Sequence, residues 1–365
     1  MTAAFGAWMI VGLFADGWAH FNVPGLESFF TPWHGLLYSG FAAGAGWLGV
    51  LACRHRDGRV WFRSLPAGYG LGAVGVGVFG FGGLADMGWH GLFGVEAGLD
   101  ALVSPTHLVL LFGGMLLLTT PLRAGWARPW PSSVGAARLR LLIEHLPPIL
   151  SLALATALAA FFLLYTSVFS RPVAAEALTT IPEGMPGHEQ AELPAGAGLS
   201  AYLITTVLVV VPLLLAQRLD RRPPGSTLLV VAVVAWLSAA VAPTAYGLVS
   251  AAAVTVAAGL VDMVVVGLDR LNASAMTRLV LSAAAAPVLL WPAQLGAAAA
   301  VGDLGWPVEL WSGVVVLSGL LAAALAVASS WGAQSPRLDS IRDVAPTKDT
   351  ENTTGMREAT AAEVV

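Results

Sequence analysis

Long apolar segments separated by short polar ones recur along most of the chain. A helix needs about 20 predominantly apolar residues to cross the hydrocarbon core of a bilayer. The pattern predicts ten spans, at residues 3–20, 33–53, 67–89, 106–121, 146–169, 199–217, 226–243, 246–267, 279–300 and 307–329. No ten-residue segment alternates between apolar and polar positions, so helices rather than barrel strands are expected. The predicted fold is an all-α, polytopic membrane helix bundle.

The chain divides into four regions by composition. Residues 1–121 hold a duplicated pair of helical hairpins, and residues 122–142 form a basic cytoplasmic loop. Residues 143–330 form a second helix bundle that is rich in Ala, Val and Leu. Residues 331–365 are polar, with few bulky apolar side chains, and this composition predicts a disordered cytoplasmic tail.

The overall composition supports a membrane protein and excludes several other classes. Mean hydropathy is +0.76 and 11% of residues are charged, against about a quarter in soluble domains. Cys53 is the only cysteine, so neither a disulfide framework nor a thiolate metal site is expected. The chain carries no phosphate-binding loop, no serine-hydrolase motif and no signature of nucleic-acid binding. The first apolar segment lacks a basic leader and a cleavage site, which favours a retained span.

Arginines are concentrated in every second loop between the predicted spans. They are Arg54, Arg56, Arg59, Arg63, Arg123, Arg128, Arg138, Arg140, Arg218, Arg221, Arg222, Arg270 and Arg278. Basic loops face the cytoplasm in most membrane proteins. We therefore predict an integral protein of the cell membrane with both termini in the cytoplasm. The ends of spans 1 and 3 then lie at the extracytoplasmic face.

Two segments at that face repeat one pattern of histidines and carboxylates. They read FADGWAHFNVPGLESFFTPWH and LADMGWHGLFGVEAGLDALVSPTH, and together they contain four of the seven histidines in the chain. Alignment pairs Asp16 with Asp86, His20 with His90, Glu27 with Asp100, Pro32 with Pro105, and His34 with His107. The second loop is three residues longer than the first.

The spacing of this repeat favours metal binding. An aspartate and a histidine four residues apart share one helix face. The Thr-Pro and Ser-Pro pairs predict helix starts, with the hydroxyl as cap and proline in the first helical position. The histidine that follows therefore faces the end of the preceding helix. Two imidazoles with one or two carboxylates suit copper, zinc, iron or manganese rather than calcium or magnesium. The predicted ligands are Asp16, His20, Glu27, His34, Asp86, His90, Asp100 and His107. Two mononuclear sites or one dinuclear site both fit this pattern.

Other polar residues give weaker signals. Glu96 has no counterpart in the first repeat and is expected on a loop surface, and Asp262 lies within the eighth span. Tyr38 follows His34 by one helical turn and is placed to orient it or to lie at the membrane interface. An acidic loop between spans 5 and 6 is expected to be solvated and carries Glu183, His188, Glu189 and Glu192.

The motifs DGWAH…ESFFTPWH and DMGWH…SPTH resemble the C subunit of the copper membrane monooxygenases, the particulate methane and ammonia monooxygenase family. The resemblance covers residues 10–112. It implies copper at Asp16, His20 and His34, and a second copper set at Asp86, His90 and His107. The chain differs from the family in two respects. An acidic residue begins the motif in both hairpins, and the second loop is longer. Residues 143–330 resemble no family that we can name.

These observations predict a membrane-embedded, metal-dependent oxidoreductase that uses copper, with zinc and iron as alternatives. The expected substrates are O2 and a small lipophilic molecule that enters from the lipid bilayer. Partner subunits or a homo-oligomer are also expected, and nucleic acid is not. The alternative is a metal-handling protein for uptake, sensing or delivery of copper or zinc without redox catalysis.

Overall fold

The computed structural model describes residues 1–24, 30–55, 65–94, 98–127, 138–219, 225–302 and 304–331, with 138–144 as backbone only. These residues form helices without any strand, as the sequence predicts. The helices are α1 (Thr2–Asn22), α2 (Pro32–Arg54), α3 (Gly70–Phe93), α4 (Leu99–Val103), α5 (Pro105–Leu118), α6 (Thr120–Trp126), α7 (Arg138–Phe162), α8 (His188–Ala216), α9 (Ser226–Val241), α10 (Ala245–Arg270), α11 (Ala275–Val301) and α12 (Val308–Trp331).

The polytopic membrane bundle is confirmed. Among the described residues, nine helical segments are long and apolar enough to cross a membrane, with α5 and α6 together forming one of them. The predicted seventh span corresponds to α9, which has 16 residues. At 1.5 Å per residue, α9 reaches about 24 Å, less than a full hydrocarbon core. The tail predicted at 331–365 lies outside the described residues except for Trp331, which ends α12, so its predicted disorder stays a prediction.

Two helix boundaries differ from the sequence prediction. Helix α8 begins at His188, eleven residues before the predicted span, so the expected acidic loop is shorter than residues 170–198. His188 stabilises the N-terminus of α8, because its Nδ1 lies 2.6 Å from the carbonyl oxygen of Ile181. Helix α7 ends at Phe162, and a 3₁₀ turn at Leu164–Thr166 follows where the span was predicted to continue.

Each N-terminal hairpin closes through a glycine that meets the backbone of the facing helix. Helix α1 packs against α2, and α3 packs against α5. A Cβ atom on Gly40 would lie 2.6 Å from the backbone nitrogen of Met9. A Cβ atom on Gly113 would lie 2.5 Å from that of Phe79. Gly40 aligns with Gly113 and Met9 with Phe79, so the repeat extends from the polar motif into the hairpin core.

The remaining helices form a second bundle, and α7 joins it to the hairpins. Helix α7 packs against α1, α5, α8 and α9. The Phe14 and Phe161 rings meet edge to face, with centroids 5.2 Å apart, where α1 contacts α7. Asp262 on α10 is buried and accepts hydrogen bonds from the backbone nitrogens of Thr227 (3.2 Å) and Leu228 (2.9 Å). Asp262 therefore satisfies the first turn of α9, which is a structural role.

Candidate metal centre

The helix starts that carry His34 and His107 are built as the sequence predicts. Thr31 caps α2, because its hydroxyl oxygen accepts a hydrogen bond of 3.1 Å from the backbone nitrogen of His34. Ser104 caps α5 in the same way, at 3.4 Å from the backbone nitrogen of His107. Proline occupies the first helical position in both hairpins. Each histidine is thereby fixed in the first turn, facing the last turns of α1 or α3.

The second hairpin brings Asp86, His90 and His107 together. Nε2 of His90 lies 3.6 Å from Oδ2 of Asp86, and Nε2 of His107 lies 3.6 Å from Oδ1. Within the described part of the chain, these are the only three His, Cys, Asp or Glu residues whose ligand atoms all lie within 4.8 Å of one another. Ligands of one ion at about 2.1 Å are separated by about 3–3.5 Å. Only small movements would therefore bring all three onto one ion.

Hydrogen bonds to the far side of each imidazole orient this second set. Nδ1 of His90 lies 3.1 Å from the carbonyl oxygen of Gly94, which can only accept, so Nδ1 carries the proton. Gly94 adopts φ +83° at the end of α3, a conformation that favours glycine. Nδ1 of His107 lies 2.7 Å from the Ser104 hydroxyl. Both Nε2 atoms are thus directed at Asp86.

Asp86 itself is buried, with 1% of its surface exposed. Its Oδ1 accepts a hydrogen bond of 2.7 Å from the Thr106 hydroxyl, whereas its buried Oδ2 makes no hydrogen bond. A carboxylate oxygen without a partner is costly in an apolar interior. The space between Oδ2 and Nε2 of His90, which lie 3.6 Å apart, therefore suits a metal ion.

The first hairpin places Asp16, His20 and His34 in a similar arrangement, but their ligand atoms do not all lie within 4.8 Å of one another. Nε2 of His20 lies 3.8 Å from Oδ2 of Asp16, and Nδ1 of His34 lies 3.3 Å from Oδ1. Oδ1 of Asp16 is buried and makes no hydrogen bond. His34 faces its aspartate with Nδ1, the atom that also lies 3.1 Å from the Thr31 hydroxyl, whereas His107 uses Nε2. The side chain of His20 is 36% exposed, the highest value among the four imidazoles.

Both sets line one cavity of about 370 Å³. The walls between them are mainly apolar, formed by Leu13, Leu37, Phe79, Leu102, Leu110, Leu158, Phe161, Phe162 and Leu164. The two hairpins therefore present their polar ends to a shared apolar chamber, each arranged around its own aspartate.

Tyr38 lies in this chamber at the contact between the two hairpins. Its ring stacks on the imidazole of His34, with centroids 6.3 Å apart and planes 15° apart. On the other side, a Cβ atom on Gly83 of α3 would lie 2.8 Å from the Tyr38 ring. Tyr38 thus contacts both hairpins, which makes it more than the interfacial tyrosine that its position along the helix suggests.

Asp100, one of the predicted ligands, does not join these groups in the structure. Asp100 is exposed in the first turn of the short helix α4 and does not belong to the set formed by Asp86, His90 and His107. A carboxylate is favourable at that position because of the helix dipole. Glu27 and Glu96 lie outside the described residues. Among the described residues, each hairpin therefore contributes one aspartate and two histidines.

Sequence reasoning missed two residues of the second set, Thr106 and Gly94. Thr106 aligns with Trp33, so comparison of the repeats gives no reason to select it. Trp33 instead packs edge to face on Trp18, with centroids 5.7 Å apart. A glycine commonly follows the last residue of a helix. Gly94 could therefore have been identified from the sequence as the end of α3, but not as the partner of His90.

Comparison with protein-family models, with curated proteins and with solved structures finds no match to this chain. The resemblance to the copper membrane monooxygenases therefore depends on the residues of the repeated motif.

Proposed function

We propose that this chain is a membrane-embedded, metal-dependent oxidoreductase of the monooxygenase type, which acts on a small lipophilic substrate. The observation that carries the proposal is the shared chamber: two sets of one aspartate and two histidines open onto a single, mainly apolar cavity. An apolar cavity with a few convergent polar groups is the usual form of a small-molecule site.

The residues of the second hairpin fit a resident metal ion. Asp86, His90 and His107 would hold it through the carboxylate and the two imidazole Nε2 atoms. Asp16, His20 and His34 would hold a second ion in the first hairpin. We propose copper because of the resemblance of the motif, although iron and zinc also accept two imidazoles and a carboxylate. A bound copper or iron ion supplies the electron transfer that reduction of O2 requires.

The protein's own groups orient the ligands and exclude water. Ser104 and the Gly94 carbonyl hold His107 and His90, and Thr106 holds Asp86. Leu13, Phe79 and Phe161 are part of the wall against which a hydrocarbon would pack. Exclusion of water by such walls strengthens electrostatic interactions inside the chamber. A cavity of about 370 Å³ has room for a small lipophilic molecule.

The overall reaction balances with an external two-electron donor. One C–H bond of the substrate is converted into C–O–H, the second atom of O2 leaves as water, and the donor supplies both electrons with two protons from solvent.

We also propose that the chain is distantly related to the C subunit of the copper membrane monooxygenases. It would assemble with partner subunits or as a homo-oligomer. We place the chamber at the extracytoplasmic side of the cell membrane. Arg54 and Arg270 lie at the last turns of α2 and α10, and Arg54 is at the opposite end of α2 from His34. This distribution agrees with cytoplasmic basic loops.

A metal-handling role without redox catalysis is the second candidate. The exposure of His20 favours it, since an exposed imidazole can exchange an ion with solvent or with a donor protein. Passage of ions through the membrane is disfavoured, because the buried carboxylate in the second bundle, Asp262, is engaged with the first turn of α9. Uptake, sensing or delivery of copper or zinc are the forms that this candidate takes.

Oxygen-isotope incorporation separates the two candidates. The protein in lipid nanodiscs is loaded with copper, iron or zinc, supplied with a chemical reductant and ¹⁸O2, and given a series of short alkanes. We expect ¹⁸O-labelled alcohol from the copper-loaded protein and none from the zinc-loaded control, since zinc has no redox chemistry. Tight binding of copper without labelled product from copper- or iron-loaded protein would instead support the metal-handling role.

A further inference from the structure

Tyr38 joins the ligand set of the first hairpin to the helix that carries most of the second set. Its ring stacks on the imidazole of His34, with centroids 6.3 Å apart. On its other side the ring lies against the backbone of α3, since a Cβ atom on Gly83 would lie 2.8 Å from Cε1 of Tyr38 and 3.0 Å from its hydroxyl oxygen. Asp86 follows Gly83 by three residues and therefore lies next to it along the helix surface. A continuous run of contacts thus leads from His34 to the part of α3 that carries Asp86.

Tyr38 and Gly83 both depart from the repeat. Alignment of the hairpins pairs Tyr38 with Leu111 and Gly83 with Leu13. An aromatic ring thus stands in α2 where the other hairpin has a leucine, and it faces a glycine of α3 where the other hairpin also has a leucine. Any side chain at position 83 would occupy the space of the ring, so the two departures fit one another. The contact between α2 and α3 is therefore specific to this pair of residues.

Phe79 holds the Tyr38 ring from a second direction. It lies one helical turn before Gly83 on α3, and its ring meets that of Tyr38 edge to face, with centroids 6.2 Å apart. Phe79 is buried and also packs on Phe41 of α2, with centroids 4.7 Å apart. Close-packed protein interiors are stiff and transmit a displacement from one group to the next. A shift of the His34 imidazole is therefore passed through the Tyr38 ring to α3.

We propose that Tyr38 is a positioning residue that couples the two ligand sets, so that occupancy of one set raises the metal affinity of the other. The inference rests on the proposed function in taking both sets as metal sites. Ordering of His34 against Asp16 fixes the surface on which the Tyr38 ring stacks. The ring then holds α3, and with it Asp86, so part of the ordering cost of the second set is already met. By thermodynamic linkage, the second set strengthens the first by the same factor.

Zinc titration measures this coupling without redox chemistry. The full-length protein in nanodiscs competes with a chromophoric chelator for zinc. Asp16→Asn and Asp86→Asn each disable one set and leave His34, Tyr38 and Gly83 in place. We expect the product of the two wild-type affinities to exceed the product of the affinities of the two single-set variants by about ten-fold. Equal products, with zinc and again with copper, would show independent sets and overturn the inference.

Replacement of Tyr38 in the same three backgrounds tests whether its ring carries the coupling. Tyr38→Phe keeps the ring and should keep the coupling, whereas Tyr38→Leu introduces the residue of the other hairpin and should abolish it. Tyr165→Leu is the matched control, because Tyr165 lines the same chamber but its ring lies beside Phe21. This control should keep the coupling. Unchanged coupling in Tyr38→Leu, or equal loss in Tyr165→Leu, would refute the role of Tyr38.

A double replacement separates positioning from packing. Gly83→Ala places a methyl group 2.8 Å from the Tyr38 ring, so we expect a lower midpoint of denaturation. Tyr38→Leu/Gly83→Ala should recover part of this stability, because neighbouring replacements compensate one another when the smaller side chain leaves room. The coupling should stay absent, since leucine offers no ring to stack on His34. Return of the coupling together with the stability would show that Tyr38 acts through packing alone.

Failure of the coupling and failure of the proposed function give different results. Coupled zinc binding without any ¹⁸O-labelled product would leave the role of Tyr38 standing and remove the monooxygenase proposal. Labelled product from a protein whose two sets bind metal independently would remove the coupling alone. A chain that takes up neither zinc nor copper would remove both.

Discussion

The Thr106 hydroxyl donates a hydrogen bond of 2.7 Å to Oδ1 of Asp86, and this contact has no counterpart in the first hairpin. The residue aligned with Thr106 is Trp33, whose side chain packs on Trp18 instead. Asp86 is also less exposed than Asp16, at 1% against 8%. The two hairpins therefore share a ligand pattern but differ in how firmly they hold the aspartate.

Removing this hydrogen bond should weaken metal binding at the second hairpin. We expect Thr106→Val to lower the metal affinity there about 10- to 100-fold, since the groups that orient a ligand affect affinity on that scale. Titration of the copper-loaded protein with a competing chelator measures the change. Thr156→Val is the control, because buried Thr156 only bonds the carbonyl of Leu152 within α7. Equal affinities for both variants would contradict the assigned role.

The Ser104 hydroxyl should contribute both to stability and to metal binding. Ser104→Ala removes the cap of α5 and the contact with Nδ1 of His107. We expect a loss of about 1 kcal/mol in the free energy of unfolding, together with weaker metal binding. Ser274→Ala is the comparison, since Ser274 caps α11 by accepting a hydrogen bond from the backbone nitrogen of Thr277 and does not line the chamber. Denaturant titration measures the loss of stability in both variants, and chelator competition measures the loss of metal affinity. An equal loss of metal affinity in both variants would refute a role for Ser104 in metal binding.

The glycines at the hairpin contacts should tolerate no side chain. Gly113→Ala places a methyl group 2.5 Å from the backbone nitrogen of Phe79, so the helices must separate. We expect a loss of about 1–3 kcal/mol, measured by denaturation in detergent. Gly77→Ala on α3 meets no atom within 4 Å and should be neutral or stabilising by about 0.5–1 kcal/mol. Similar losses in both variants would show that the close contact is not what selects glycine.

Asp262 should matter for stability and not for metal content. Asp262→Ala leaves the backbone nitrogens of Thr227 and Leu228 without this acceptor, and we expect a loss of about 1–3 kcal/mol. Asp269→Ala on the same helix removes an ion pair of 3.0 Å with Arg278 between half-exposed side chains, and should cost less than about 1 kcal/mol. Loss of bound metal in Asp262→Ala, with the fold intact, would instead indicate an ion path through the second bundle.

The sequence was sufficient for the parts of the site that depend on local rules. Asp-x3-His spacing and the Thr-Pro and Ser-Pro helix starts are set within one or two turns, and the structure has them as predicted. The all-helical membrane bundle follows from apolar segment length. These features need no knowledge of how distant helices pack.

The features that could not be predicted depend on tertiary packing. The shared chamber exists because α7 places Leu158 and Phe161 beside both hairpins, and hydropathy alone does not specify that contact. Asp100 was expected near the histidines, but a short helix in the longer loop leaves it exposed. Thr106 could not be predicted from the repeat, because the aligned residue in the first hairpin is Trp33.

Elemental mass spectrometry tests directly whether each of the two hairpins binds a metal ion. The wild-type protein, His20→Ala/His34→Ala and His90→Ala/His107→Ala are purified from membranes and reloaded with copper, iron or zinc in turn. We expect two ions per wild-type chain and one fewer in each double variant, with the tighter ion lost from His90→Ala/His107→Ala. Loss of all metal in either variant would contradict two separate centres and indicate one dinuclear site. A wild-type protein that retains none of the three metals would contradict the metal centre itself.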